Sequence, residues 1–132
     1  MRYLIALTLI LSGCALLDDS DVARLEQPDV AYACALSRMR IDEAPGPVPT
    51  VVEVDSMWVN TYATGGQWVR AEYVSRTNTV YIFPTMRHYW RDLPHEMAHA
   101  IQFQLGEPFS EAAAQKVARW AHHCVIFASV GK

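Results

Sequence analysis

Two histidines stand four residues apart in His95-Glu96-Met97-Ala98-His99, within a largely apolar segment. On an α-helix such positions point only ~40° apart, with Cβ atoms roughly 5–6 Å from each other. The chain is therefore constrained at this point to a helix that holds two imidazoles on one face. Both rings can reach one metal ion. Glu96 projects on the same exposed edge, where a carboxylate can take a proton from a water whose pKa zinc pulls toward ~7. The plainer alternative is a buried helix whose histidines bond nearby carbonyls, which leaves two histidines and a glutamate in apolar surroundings without a role.

The flanking residues set the limits of this helix. Asp92-Leu93-Pro94 precedes the motif, so a proline falls near the expected first turn, where its missing N–H costs nothing. Ala98, Ala100, Ile101, Phe103 and Leu105 keep the segment apolar, and Gly106 followed by Pro108 stops it. About three turns are expected, buried on most sides.

The run Leu93-Pro94-His95-Glu96-Met97-Ala98-His99-Ala100-Ile101-Gln102 resembles the active-site helix of the zincin metallopeptidases, and the next stretch of chain is similar to their compact, single-domain gluzincin-like branch. The resemblance covers residues 79–123 and leaves the rest of the chain unidentified. It implies a Zn2+ site with a third ligand, a glutamate, on the next helix and a water in the remaining position. Gly106-Glu107-Pro108-Phe109-Ser110-Glu111 supplies a short turn, a Ser N-cap at 110 and a helix opening on Glu111, the leading third ligand. Glu107, in the turn, stays open as the alternative. The other zincin arrangement would place a glycine and a third histidine at Gln102 and Leu105, and neither is there. His122 lies eleven residues beyond Glu111, ~16 Å along a helix axis, so the two cannot serve one ion. His122 and His123 are expected at the surface or helix end.

The beginning of the chain speaks to compartment. Arg2, the apolar run 3–11 and Leu11-Ser12-Gly13-Cys14 have the charge, length and small-residue exit of an export signal. About nine apolar residues are too few to span a bilayer. The Leu-Ser-Gly-Cys ending resembles the bacterial lipoprotein box, which implies lipidation of Cys14, a membrane anchor there, and residence in the bacterial cell envelope. Ala15 after the cysteine resembles the outer-membrane class, facing the periplasm. The expected organisation is a signal peptide over 1–13, a lipidated cysteine and tether over 14–27, and a single domain over 28–132.

In an oxidising space the two remaining cysteines, Cys34 and Cys124, read most economically as a disulfide, with separate buried thiols as the alternative. A stripe of Ala113, Val117, Trp120, Cys124 and Phe127 is expected to turn inward on the last helix. With 52% hydrophobic and 19% charged residues, the chain can form a core. Removing residues 1–13 takes away only Arg2, so the formal charge goes from −3 to −4; no basic surface suggests nucleic acid.

A helix is expected from Pro28 to about Arg40, with Pro28 in its first turn and alanines within it. Ala44-Pro45-Gly46-Pro47-Val48-Pro49 admits no regular element. Residues 50–55, 57–63, 68–75 and 79–83 are rich in Val, Tyr, Trp and Thr, and read as a small antiparallel sheet with turns at 64–67 and 76–78. The class is α+β: an N-terminal helix, a small antiparallel sheet and a C-terminal helix pair carrying the metal site, a minimal zincin-like architecture. The resemblance implies that Val80, Tyr81, Ile82 and Phe83 bind an extended substrate by strand addition, against the alternative of an ordinary packed strand. An oxyanion-stabilising donor is also needed, and Tyr62, His88 and Tyr89 are candidates.

The expected function is a lipid-anchored zinc metallopeptidase acting on a peptide or protein, with Glu96 as general base and His95, His99 and Glu111 as ligands. The alternatives are a non-catalytic envelope lipoprotein whose zinc or histidines are structural, and a hydrolase directed at peptidoglycan.

Overall fold

The computed structural model describes residues 26–55, 58–59, 67–68, 70–83 and 89–124. The signal segment, Cys14, nearly all of the tether, Tyr62, His88 and Phe127 lie outside the described residues. Helix α1 (Pro28–Met39) begins where expected. Proline at its start sacrifices no hydrogen bond, and Asp29 in the first turn complements the positive end of the helix dipole. It ends on Arg40 in the left-handed region, with the N–H groups of Arg40 and Ile41 turned back on the Ser37 and Leu36 carbonyls at 3.2 and 3.0 Å.

The proline-rich connector 44–49 is irregular but anchored. Gly46 lies so close to Gln104 that an added Cβ would fall 2.8 Å from its Cδ. Gln104 Nε2 donates to the Pro47 carbonyl at 2.8 Å, and the Tyr32 hydroxyl reaches Gln104 Oε1 at 2.6 Å. The linker thereby joins α1 to the histidine-bearing helix.

The chain then forms β1 (Thr50–Glu53), β2 (Trp58–Val59), β3 (Gln67–Trp68), β4 (Ala71–Val74) and, after a 3₁₀ turn at Ser75–Thr77, β5 (Thr79–Ile82). The fold is α+β, but the expected all-antiparallel sheet is a mixed one of order β1-β5-β4. β4 and β5 form an antiparallel hairpin closed by Asn78 in the left-handed region, whereas β1 runs parallel to β5, Thr50 opposite Thr79. Pairing consecutive strands in sequence order misses this, because β1 is separated from β5 by a long excursion containing the small β2–β3 ladder. The stretch read as one strand over 68–75 is split between β3 and β4, which belong to different sheets, and Gln67 is in β3 rather than in a turn.

Helix α2 (Tyr89–Gln104) starts five residues before Pro94, which sits inside it rather than in its first turn. Leu93, Met97, Ala98, Ala100 and Ile101 are fully buried, packing between α1, the sheet and α3 (Glu111–Trp120). Burying each of the larger three contributes roughly 1.5–3 kcal/mol. On α3 and its cap the inward stripe is Ala114, Val117, Ala118 and Ala121; Val117 turns inward as expected and Cys124 packs with Cys34, but Trp120, also expected inward, is 40% exposed. Alanines let α3 approach α2 closely, and an indole there would hold the helices apart. Trp120 instead lies against His122 and His123, with ring centroids 6.1 and 4.9 Å away. Cys34 of α1 is bonded to Cys124 beyond α3, closing a 90-residue separation. Among the described residues no helix is long and apolar enough to cross a membrane.

Candidate metal centre

The helical spacing that aligns His95 and His99 places their ring centroids 4.9 Å apart, nearly edge to face. Glu111 enters from the first turn of α3. Its helix is fixed there by the Ser110 side chain, which accepts from the Ala113 N–H at 3.3 Å. Glu111 Oε1 is 2.9 Å from His99 Nε2, and Oε2 is 3.3 Å from His95 Nε2. One carboxylate thus spans both rings. One donor atom from each of the three residues lies within 4.8 Å of the others, so the group could hold a metal ion. Two imidazole nitrogens and a carboxylate oxygen are a donor set suited to zinc, with bonds of ~2.0–2.2 Å. Glu107 is not part of this group; its backbone N–H caps the Gln102 carbonyl at 2.9 Å.

The tautomer of His99 is set by its other neighbour. Gln102 Oε1 accepts the Ser110 N–H at 3.1 Å, while its Nε2 donates to the Ser110 carbonyl at 3.3 Å, which fixes which end of the amide is oxygen. That oxygen is 3.0 Å from His99 Nδ1, so Nδ1 carries a hydrogen and Nε2, which faces Glu111, is the nitrogen left to bind a metal. Gln102 stands where the other zincin arrangement would have a glycine, and its part in orienting His99 carries no signal in the sequence. Gln102→Leu is expected to lower zinc affinity roughly 10–100-fold, by isothermal titration, while preserving the fold.

Burial, ahead of the neighbouring His99 charge, holds His95 below the ordinary histidine range, so its ring is neutral, the form that binds metals. Glu96 is 8% exposed and lies 4.0 Å from His95 Nε2 through Oε1; its Oε2 accepts the Tyr73 N–H at 2.8 Å. Burial pushes this carboxyl up to about 8, although the Tyr73 hydrogen bond acts the other way. A bound cation would also favour the carboxylate. Phe109, in the turn before α3, places its ring 5.1 Å from that of His99 and covers it.

A cavity of about 250 Å3 opens beside His95 and Glu96, with Arg70, Arg91 and Asp92 also in its wall. Arg70 Nη2 meets Asp92 Oδ1 at 3.2 Å; its side chain is 54% exposed, so the pair orients a guanidinium more than it stabilises the fold. Isolated arginines carry no spacing signal, so Arg70 was not legible from sequence. Val80–Phe83 is not available for strand addition as expected, because β5 has β1 on one side and β4 on the other. Of the oxyanion candidates, Tyr62 and His88 lie outside the described residues, and Tyr89 opens α2. No family model, curated protein or solved structure matches this chain.

Proposed function

We propose that this protein is an exported, lipid-anchored zinc metallohydrolase that cleaves peptide bonds. The observation carrying this reading is the Glu111 carboxylate spanning both imidazoles while a second, buried carboxylate, Glu96, sits beside them at a cavity. His95, His99 and Glu111 would hold zinc, which supplies Lewis acidity and brings the pKa of water toward ~7. Glu96 is held by the Tyr73 N–H with its other oxygen on the His95 side, placed to accept a proton from attacking water and return it to the leaving amine. Arg70 and Arg91 line the same cavity and are the side chains positioned to meet negative charge on a substrate. Among the described residues only β1 and β4 leave an outer edge in the three-stranded sheet, and the β4 edge, whose Tyr73 N–H is taken by Glu96, is the one beside the site. An extended peptide would lie along β4.

The Leu-Ser-Gly-Cys sequence supports anchoring through Cys14 in a bacterial envelope, facing the periplasm. The test is zinc stoichiometry in residues 15–132 with the disulfide formed, alongside Glu111→Ala. One zinc per chain is expected, with the variant weakened beyond the roughly 10–100-fold typical of an outer partner. Wild-type protein that takes up no zinc would overturn the proposal. Purified sacculi and unfolded protein substrates would then separate a peptidoglycan-directed enzyme from a protein-cleaving one.

A further inference from the structure

A second cavity, of about 450 Å3, lies between the C-terminal end of α1 and the face of α3 that carries Lys116. Its wall consists of Arg38, Met39, Arg40, Ala113, Lys116 and Val117. Among the described residues three cations therefore share one cavity with no carboxylate in its wall, in a chain of formal charge −3. The dipole of α1 accounts for a cation at its end. It does not account for Lys116, which comes from another helix.

Arg38 Nε is buried and has no hydrogen-bond partner among the described residues. A guanidinium stays charged, and a buried donor left unmade costs about 1–3 kcal/mol. Arg40 occupies the left-handed cap of α1, with φ 59° and ψ 45°, where glycine is the unstrained choice.

We propose that this cavity binds a phosphate group carried on an organic moiety. Two planar guanidinium forks and one ammonium suit a multiply charged tetrahedral oxyanion, which offers each of them an oxygen. Met39, Ala113 and Val117 form an apolar wall for the attached carbon skeleton. The phosphate can come from a soluble ester or from a lipid headgroup.

The experiment uses residues 15–132 with the disulfide formed and freed of metal, so that neither a lipid anchor at Cys14 nor the metal centre can report. Glycerol 3-phosphate is titrated calorimetrically, and co-sedimentation is measured with phosphatidylglycerol vesicles and with phosphatidylcholine vesicles. Lys116→Glu, at an exposed helical position, tests the cavity without threatening the core; Arg38→Gln removes the buried donor. Saturable binding of glycerol 3-phosphate, weakened about tenfold or more in both variants, supports the site and assigns it to soluble esters. Phosphatidylglycerol-dependent sedimentation lost in Lys116→Glu supports it and assigns it to lipid. Wild-type protein that binds neither, or binding unchanged by Lys116→Glu, overturns it.

Discussion

Replacing Glu96 by glutamine is expected to leave zinc binding intact and to lower turnover by about 10²–10⁴-fold on any substrate the protein cleaves, the range that a positioned general base supplies. Glutamine keeps an oxygen able to accept the buried Tyr73 N–H, now bonded at 2.8 Å, so β4 stays tied to α2. The amide cannot take up a proton from water. Alanine at the same position would orphan that N–H and add roughly 1–3 kcal/mol of destabilisation, which would blur chemistry with folding. Equal turnover by the glutamine variant, with zinc retained, would remove Glu96 from the mechanism. Loss of zinc in that variant would instead make Glu96 part of the metal's surroundings.

Removing the Cys34–Cys124 bond by double alanine substitution should cost about 4–5 kcal/mol in the chain-entropy model, because the link spans 90 residues. Domains of this size have only about 5–15 kcal/mol in total, so the melting temperature should fall by roughly 15–20 °C. The bond ties α1 to the segment after α3, whereas the histidine–glutamate group ties α2 to α3. The two constraints act on different helix pairs. Saturating zinc should therefore restore part of the lost stability, about 2.7 kcal/mol at a hundredfold excess over its dissociation constant. Calorimetric melting of both forms, with and without zinc, checks this; a fall below about 5 °C would mean that the bond stabilises little.

That there are helices here was legible because their signals are local, although α2 begins five residues before the proline expected in its first turn. Pro28 opens α1, Ser110 caps α3, and the spacing of His95 and His99 fixes which face of α2 they share. Glu111 could be placed because a short turn leaves the next helix little choice of where its first residue points. The parallel pairing of β1 with β5 was not legible, since nothing in either four-residue strand specifies its partner's direction. Gln102 and the Tyr73 N–H escaped for a related reason. An amide that orients a histidine and a backbone group that holds a carboxylate acquire those roles only when distant segments meet.

Pro94 has no N–H, so the Trp90 carbonyl one turn earlier has no helical partner at that point in α2. The interruption falls between Arg91 and Asp92 on one side and His95 and Glu96 on the other, and all four line the same cavity. The charged lip and the His95–Glu96 pair thus lie on either side of the one backbone bond that Pro94 removes from α2. Leu93, fully buried beside Pro94, and the Asp92–Arg70 pair hold the lip in place despite the missing bond, so packing rather than the helical ladder sets how far the arginines stand from the histidines.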